Sequence, residues 1–494
     1  MAIEPIIGTE VEYGITVTNN ESFNPVTASA LVVNAYGGGR GRIRWSYDDE
    51  TPGRDARGFN VGMQPIDEND SGLVNAVLLN GARLYVDHAH PEYSTPECSD
   101  PLEATLHDKA GELVMHQAAE AANTLLPEGQ RLLLYKNNSD GKGNSYGAHE
   151  NYLVSRSVPF GALAQHLTAF FVTRQILTGS GKVGSEHGRP DVGFQISQRA
   201  DFFEEEIGLE TTLKRPIINT RDEPHSDAQK YRRLHVIIGD ATQSEIQTFV
   251  KVGAASLVLM ALEDQVLGDP ILLADPVGAI TAISHDTTLQ QPVKLADGTE
   301  ATALELQRHY FDIAEEYVAS HDLAPAYKQV IGEWRSLLTD IAEGYEAVAD
   351  RLDWAAKMTM VEGYRRRDSL AWDDPKLHLV DLQFHDIDPD KGLYHRLVQA
   401  GRMRRLFSDA EVVEATQHAP ESTRAYFRGE CLRRYGSSVV AANWDSLVFD
   451  TGASTLVRLP MMEPRKGTRD LVDDLFAASP DAATLIHNIG GSND

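Results

Sequence analysis

The sequence predicts an α+β fold built on antiparallel strands. Three observations carry this: short segments rich in β-branched residues, long segments with apolar residues at helical spacing, and no regular alternation of the two. A doubly wound parallel fold would show that alternation. At 494 residues the chain is also too long for one small core and predicts more than one unit.

The elements follow in order. Residues 6–17 read as a strand, and residues 30–36 can start a helix that the glycines from Gly37 stop. From there to Gly72 the chain is rich in Gly, Asp and Arg with little periodicity, a loop length that inside a compact domain marks function or disorder. Residues 84–86 are a second strand. Leu102, Leu106, Ala110, Leu113, Val114 and Ala118 place an amphipathic helix over 101–126. Residues 132–135 are a short strand entering a polar run to Gly147, and a further strand follows with His149 and Asn151 on one face. Residues 160–177 predict a helix, 194–197, 216–219 and 234–238 predict strands, and 301–320 and 324–351 predict two long helices. The stretch after Gln417 (His-Ala-Pro-Glu-Ser) is the best linker, with a smaller C-terminal unit beyond it.

Composition excludes several classes. The formal net charge of −28 argues against nucleic acid or an anionic membrane as a partner. Two cysteines, Cys98 and Cys431, make no disulfide framework and no zinc spacing. Residues 252–262 form the longest apolar run, too short to span a bilayer, and the N-terminal segment does not read as a signal peptide. The expectation is a reduced, cytoplasmic protein.

Glu10 and Glu12, two apart in a strand, emerge on one face, and so do Tyr85 and Asp87, with Glu92 beyond Pro91. Such carboxylates are either a solvated face or a site for a hard cation such as Mg²⁺. His88 and His90 alone do not make a zinc site. Arg199 and Arg221 each follow an apolar strand and, with Arg232, Arg233 and His235, form the one basic neighbourhood, suited to phosphate or carboxylate. The P-loop, dinucleotide and nucleophile-elbow patterns are absent from the sequence.

Gly8-Thr-Glu-Val-Glu-Tyr-Gly14, the run from Asn80 to Tyr93, the run from Ile218 to His235, residues 377–382, Asp390-Lys-Gly-Leu-Tyr394, Arg424-Ala-Tyr-Phe-Arg-Gly-Glu-Cys431 and Ala442-Asn-Trp-Asp-Ser446 together resemble the Pup ligase/deamidase family. The resemblance implies a glutamine synthetase-like large domain with a curved antiparallel sheet cradle packed on helices, over 1–418, and a small C-terminal domain, 419–494, contributing to the nucleotide site. One branch of the family ligates the small disordered protein tag Pup to lysines. The other deamidates Pup's C-terminal glutamine and removes Pup from modified proteins. A long loop distinguishes that second branch, and residues 37–72, with Arg44-Trp45 and Arg54-Asp-Ala-Arg-Gly-Phe59, fill its place; their tip, 60–70, is more acidic than the resemblance leads one to expect.

By the same resemblance Asp87 is the catalytic aspartate, as nucleophile or as general base. Glu10, Tyr85 and Glu92 match metal ligands, with Glu12, His149 and His235 as further metal or nucleotide contacts. Arg83, Ser94, Thr95, Arg233 and Trp444 match positions around the nucleotide, and Arg199 and Arg221 match phosphate-contacting arginines. The implied cofactors are Mg²⁺ and ATP, or ADP plus phosphate. The implied partners are Pup, pupylated proteins and the bacterial proteasome system. An acidic, disordered tag would need a basic groove, for which Arg365, Arg366, Arg367, Arg402, Arg404, Arg405 and the Arg232–Arg233 region are candidates.

Overall fold

In the computed structural model, which describes residues 2–37, 43–48, 50–62 and 74–490, the Ile7–Glu12 strand lies at the centre of a six-stranded sheet. The order is Tyr231–Val236, Ala148–Ser155, Ile7–Glu12, His90–Ser94, Arg83–Asp87 and Asn75–Val77, and every pairing is antiparallel. The α+β class and the antiparallel arrangement are those expected.

Register sorts the side chains. Glu10 stands opposite both Ser94 and His149, Glu12 opposite Glu92, Tyr85 opposite Glu92, and His235 opposite Asn151. Successive residues point to opposite faces, so these polar groups share one face. Ile7, Val11, Leu84, Val86, Tyr93, Tyr152, Val154, Leu234 and Val236 share the other and are buried. The Pro101–Asn123 helix covers that apolar face, where the Thr9 hydroxyl donates to Asp108 Oδ1 at 3.2 Å. Asp100 caps this helix by accepting from the backbone of Leu102 and Glu103.

The Glu245–Glu263 helix is, among the described residues, the one long and apolar enough to cross a membrane, and it is buried within the fold. The long pattern over 324–351 is broken: the Pro325–Asp340 helix gives way to short 3₁₀ turns around Gly344, whose φ of +130° only glycine adopts readily. The expected helix over 160–177 is likewise two, Phe160–Thr173 and Gln175–Thr178.

The Val457–Pro460, Ser446–Phe449 and Val439–Ala442 strands form a second sheet. Its fourth strand is Arg44–Trp45, which pairs in parallel with Val439–Ala442 across nearly the whole sequence. The periodicity-poor stretch after Gly37 therefore contains an edge strand. The segment that follows also docks. Ala56 N donates to Thr220 O at 2.8 Å, Asp222 N donates to Arg54 O at 2.8 Å, and the Thr220 hydroxyl donates to Asp55 Oδ2 at 2.6 Å. Most of the acidic tip lies outside the described residues.

Candidate active site

The polar sheet face carries four carboxylates. Glu12, Asp87 and Glu92 place ligand atoms within 4.8 Å of one another, and so do Glu10, His149 and His235. Asn151 Nδ2 donates to Glu10 Oε1 at 2.7 Å, His149 Nδ1 lies 3.2 Å from Glu10 Oε2, and Arg233 Nη1 stands 3.7 Å from Glu10 Oε1. Glu12 is held from two sides, by Gly147 N at 2.8 Å and His90 Nδ1 at 3.1 Å. A Cβ at Gly147 would lie 2.5 Å from His149 Nε2 and 2.6 Å from Glu12 Oε1, so a side chain here would displace the His149 ring and the Glu12 carboxylate.

These carboxylates do not share one electrostatic state. Burial raises Glu10, but the His149 hydrogen bond and the charges of His235, His149 and Arg233 reverse this and hold it well below the usual carboxylate range. Burial, reinforced by Asp87, Glu12 and Glu10, pushes Glu92 well above that range. Burial and the carboxylates around Tyr85 likewise push its phenol well up, while Ser94 Oγ donates to that phenol oxygen at 3.3 Å. A buried acid pushed up by its acidic neighbours marks a site short of positive charge. The donor set of carboxylates and imidazoles fits a divalent cation.

Asp87 differs. It closes the Arg83–Asp87 strand beside His88, whose φ is +51°. His88 Nδ1 lies 3.0 Å from Asp87 Oδ2. Burial raises the Asp87 carboxyl, but His88 outweighs it and leaves it lowered; the same hydrogen bond raises His88 to about 9. Asp87 is thus ionised and, at 41% side-chain exposure, open to the cleft.

Two clefts flank the row. One is lined by Glu10, Ser94, Thr95, Arg233, His225 and Trp444; the other by Glu12, Asp87, His88, His149, Arg199 and Arg215. Of the residues expected around a nucleotide, Ser94, Thr95, Arg233 and Trp444 meet in the first cleft. Arg83 does not line it; its guanidinium lies 3.9 Å from the ring centroids of both Trp45 and Tyr85, and Trp45 meets Trp444, which does, edge-on at 5.3 Å. Arg199 is in the second cleft. Arg221 lines neither; its segment bridges to Asp55.

Arg215 and His225 were not singled out by sequence, and Asn151 was placed on the His149 face without a role. Asn151 joins Glu10, Arg233 and His235 through single hydrogen bonds, and its period-two relation to His149 was the available signal. His225 is half-buried, and desolvation and Arg233 push it well down. The expected groove arginines are largely matched already: Arg365 and Arg366 to Glu362, Arg367 to Asp368, Arg404 to Glu333, and Arg405 to Glu245 and Asp409.

A family model described as Pup-ligase protein matches residues 5–448. The Pup deamidase/depupylase of Mycolicibacterium smegmatis is 51% identical over 497 residues, covering 99% of this chain and 100% of that protein. The depupylase of Acidothermus cellulolyticus is 50% identical, covering 98% and 99%. The Pup–protein ligase of Kineococcus radiotolerans is 44% identical over 365 residues, 73% of this chain and 80% of that one. Among solved structures, the complex between Pup and its ligase PafA matches with a TM-score of 0.80 at 31% identity, covering 99% of this chain and 95% of that one. PafA in complex with ADP matches at 0.74 and 32%, covering 85% and 95%.

Proposed function

The chain belongs to the Pup-ligase protein family, and on that premise we propose that it is an amidohydrolase of the Pup system. It deamidates the C-terminal glutamine of Pup to glutamate and cleaves the isopeptide bond between Pup and substrate lysines. The observation that carries the reading is the likeness to depupylases along the whole chain, including the segment over 50–62 that docks beside Arg221. Pup and pupylated proteins are its partners, with the proteasome system downstream, and its two buried thiols suit the cytoplasm.

The cofactors proposed are Mg²⁺ and ATP, or ADP with phosphate. Glu10, Glu12, Glu92, His149 and His235 would hold the cation, with Tyr85 beside Glu92. Ser94, Thr95, Arg83, Arg233 and Trp444 would line the nucleotide, and Arg199 and Arg221 would face phosphate. Bound there, the cation and nucleotide supply Lewis-acid polarisation of an amide carbonyl. Amide hydrolysis runs downhill, so the nucleotide need not be consumed as an energy source.

The chain's own contribution centres on Asp87. Ionised and held by His88, its carboxylate can attack the amide carbon or take a proton from attacking water. In the first case the amine leaves as an Asp87–acyl anhydride forms, and water that opens it at the Asp87 carbon puts solvent oxygen into Asp87; in the second no oxygen enters Asp87 and water adds directly to the amide carbon. Arg233 and Asn151 fix Glu10, and Gly147 and His90 fix Glu12, so the carboxylate row is held before substrate arrives.

Incubation with MgATP and Pup ending in glutamine tests the reading against its ligase counterpart. Ammonia release is expected. Conjugates formed from Pup ending in glutamate, without ammonia release from the glutamine form, would assign the chain to ligation instead.

A further inference from the structure

His88 holds Asp87 through one ring nitrogen, and its other ring nitrogen has no task in the account so far. Asp87 pairs with His90 in the hairpin register, so His88 and Ala89 alone form the turn between the Arg83–Asp87 and His90–Ser94 strands. The φ of +51° at His88 is a conformation that two-residue turns ordinarily give to glycine or asparagine. A bulkier residue kept there carries backbone strain, and strained residues gather at functional sites. The turn is also pinned from both sides. Ser29 Oγ, on the Pro25–Ala35 helix, donates to Ala89 O at 2.8 Å. His90 Nδ1 lies 3.1 Å from Glu12 Oε2, and its ring stands 4.3 Å from that of Tyr146.

The ionised Asp87 carboxylate can only accept, so His88 Nδ1 carries the hydrogen of their 3.0 Å contact. Among the described residues Nε2 has no partner, and the exposed ring lines the same cleft as Asp87. The Asp87 hydrogen bond and charge raise the imidazole to about 9 against its partial burial; Glu12 adds to this and Arg221 opposes it. The ring is therefore protonated at neutral pH, and Nε2 is an N–H donor open to the cleft.

The inference rests on the amide hydrolysis proposed above, which needs something Asp87 does not supply. Ammonia and a lysine amine are too basic to leave as anions, so the nitrogen must gain a proton as its bond to carbon breaks. In the anhydride route Asp87 has no proton to give, and in the water route its carboxyl is engaged at the attacking oxygen. We propose that His88 is the general acid of this reaction, giving its Nε2 proton to the departing amine. The electron pair of the carbon–nitrogen bond leaves with nitrogen and binds that proton, and the imidazolium becomes imidazole. The water consumed returns one proton to the ring, so no further co-reactant is needed.

The test varies the leaving amine. Pup ending in glutamine is compared with Pup whose terminal glutamate carries a γ-ethylamide, a γ-trifluoroethylamide or a γ-(4-nitroanilide), in wild type, H88N and H88Q. Asparagine tolerates the left-handed backbone and can still donate to Asp87, but its amide is no acid. H88N should lose about 10²- to 10⁴-fold in kcat on the glutamine form and the ethylamide, whose amines are basic, and less than about tenfold on the nitroanilide, with the trifluoroethylamide between them. Nucleotide binding by H88N at wild-type affinity reports its folding, and H88Q takes its place if it does not fold. An equal loss on all four substrates would overturn the proposal and leave His88 as the support of Asp87 alone. So would a wild-type rate on the glutamine form. If wild type does not accept the nitroanilide, the ethylamide and trifluoroethylamide, nearly equal in size, decide on the same terms. Failure of wild type to release amine from any of the four would instead count against the parent activity.

Discussion

At the scale of single residues, Gly147 is the sharpest test of the carboxylate row. Substitution by alanine would push a methyl group into His149 and Glu12, which both face the proposed cation. G147A is expected to weaken divalent-cation affinity, read by calorimetric titration, by about 10- to 100-fold, the range typical of disturbed ligand orientation. Unchanged affinity would separate Gly147 and its neighbours from cation binding. Much of this face was legible in the sequence because the period of a strand is two: Glu10 with Glu12, Tyr85 with Asp87, and His149 with Asn151 each declare a shared side. Arg215 was not legible. All five residues of its strand are buried, so no alternation reveals that its guanidinium reaches a cleft. Arg221 was legible as an arginine beyond a strand, but its bridge to Asp55 depends on packing that local spacing does not encode.

At the scale of elements, the join between the main sheet and the Arg424–Tyr435 helix is a buried ion cluster. Arg424 Nε donates to Glu97 Oε1 at 2.7 Å, and Arg428 Nη2 donates to Glu97 Oε2. Burial would raise the Glu97 carboxyl, but the two arginines bring it to about 2, below its ordinary 4.5. A carboxyl depressed in the folded state contributes stability that is fully present above 4.5 and is lost as pH falls from there towards about 2. E97Q should flatten the stability–pH slope in that window. It should also cost about 3–5 kcal/mol at neutral pH, because both arginines stay buried without their carboxylate. Denaturant unfolding at several pH values measures both, and a wild-type slope in E97Q would contradict the assignment. The strand His90–Ser94 shows why elements are harder to read than faces. Pro91 and its polar flanks show no strand signal in the sequence, yet Pro91 sits near the strand's start, where the first strand has ended and Tyr13 N donates to the Pro91 carbonyl.

At the scale of the whole molecule, the stretch after Gly37 ties three regions together. Arg44–Trp45 completes the C-terminal sheet, Trp45 stacks on Arg83 and meets Trp444, and the following segment docks beside Arg221. Sequence periodicity could not reveal this, since a two-residue strand pairing with residues 441–442 has no local pattern. Loss of the Trp45 ring should loosen Arg83 and Trp444 together. W45A is therefore expected to weaken nucleotide binding about three- to thirtyfold, the range of a cation–π contact, read with a fluorescent nucleotide. Unaltered affinity would detach the strand from the nucleotide cleft.

The central claim is that this sheet face hydrolyses a terminal amide through Asp87 while the cation and nucleotide sites stand independently of that carboxylate. Mass spectrometry of glutamine-ended Pup, incubated with MgATP and either wild type or D87N, tests it most directly. Wild type should convert the terminal amide to the acid. D87N should lower that rate by at least about 10²- to 10⁴-fold while binding nucleotide as wild type does. Conversion by D87N at the wild-type rate would contradict the account.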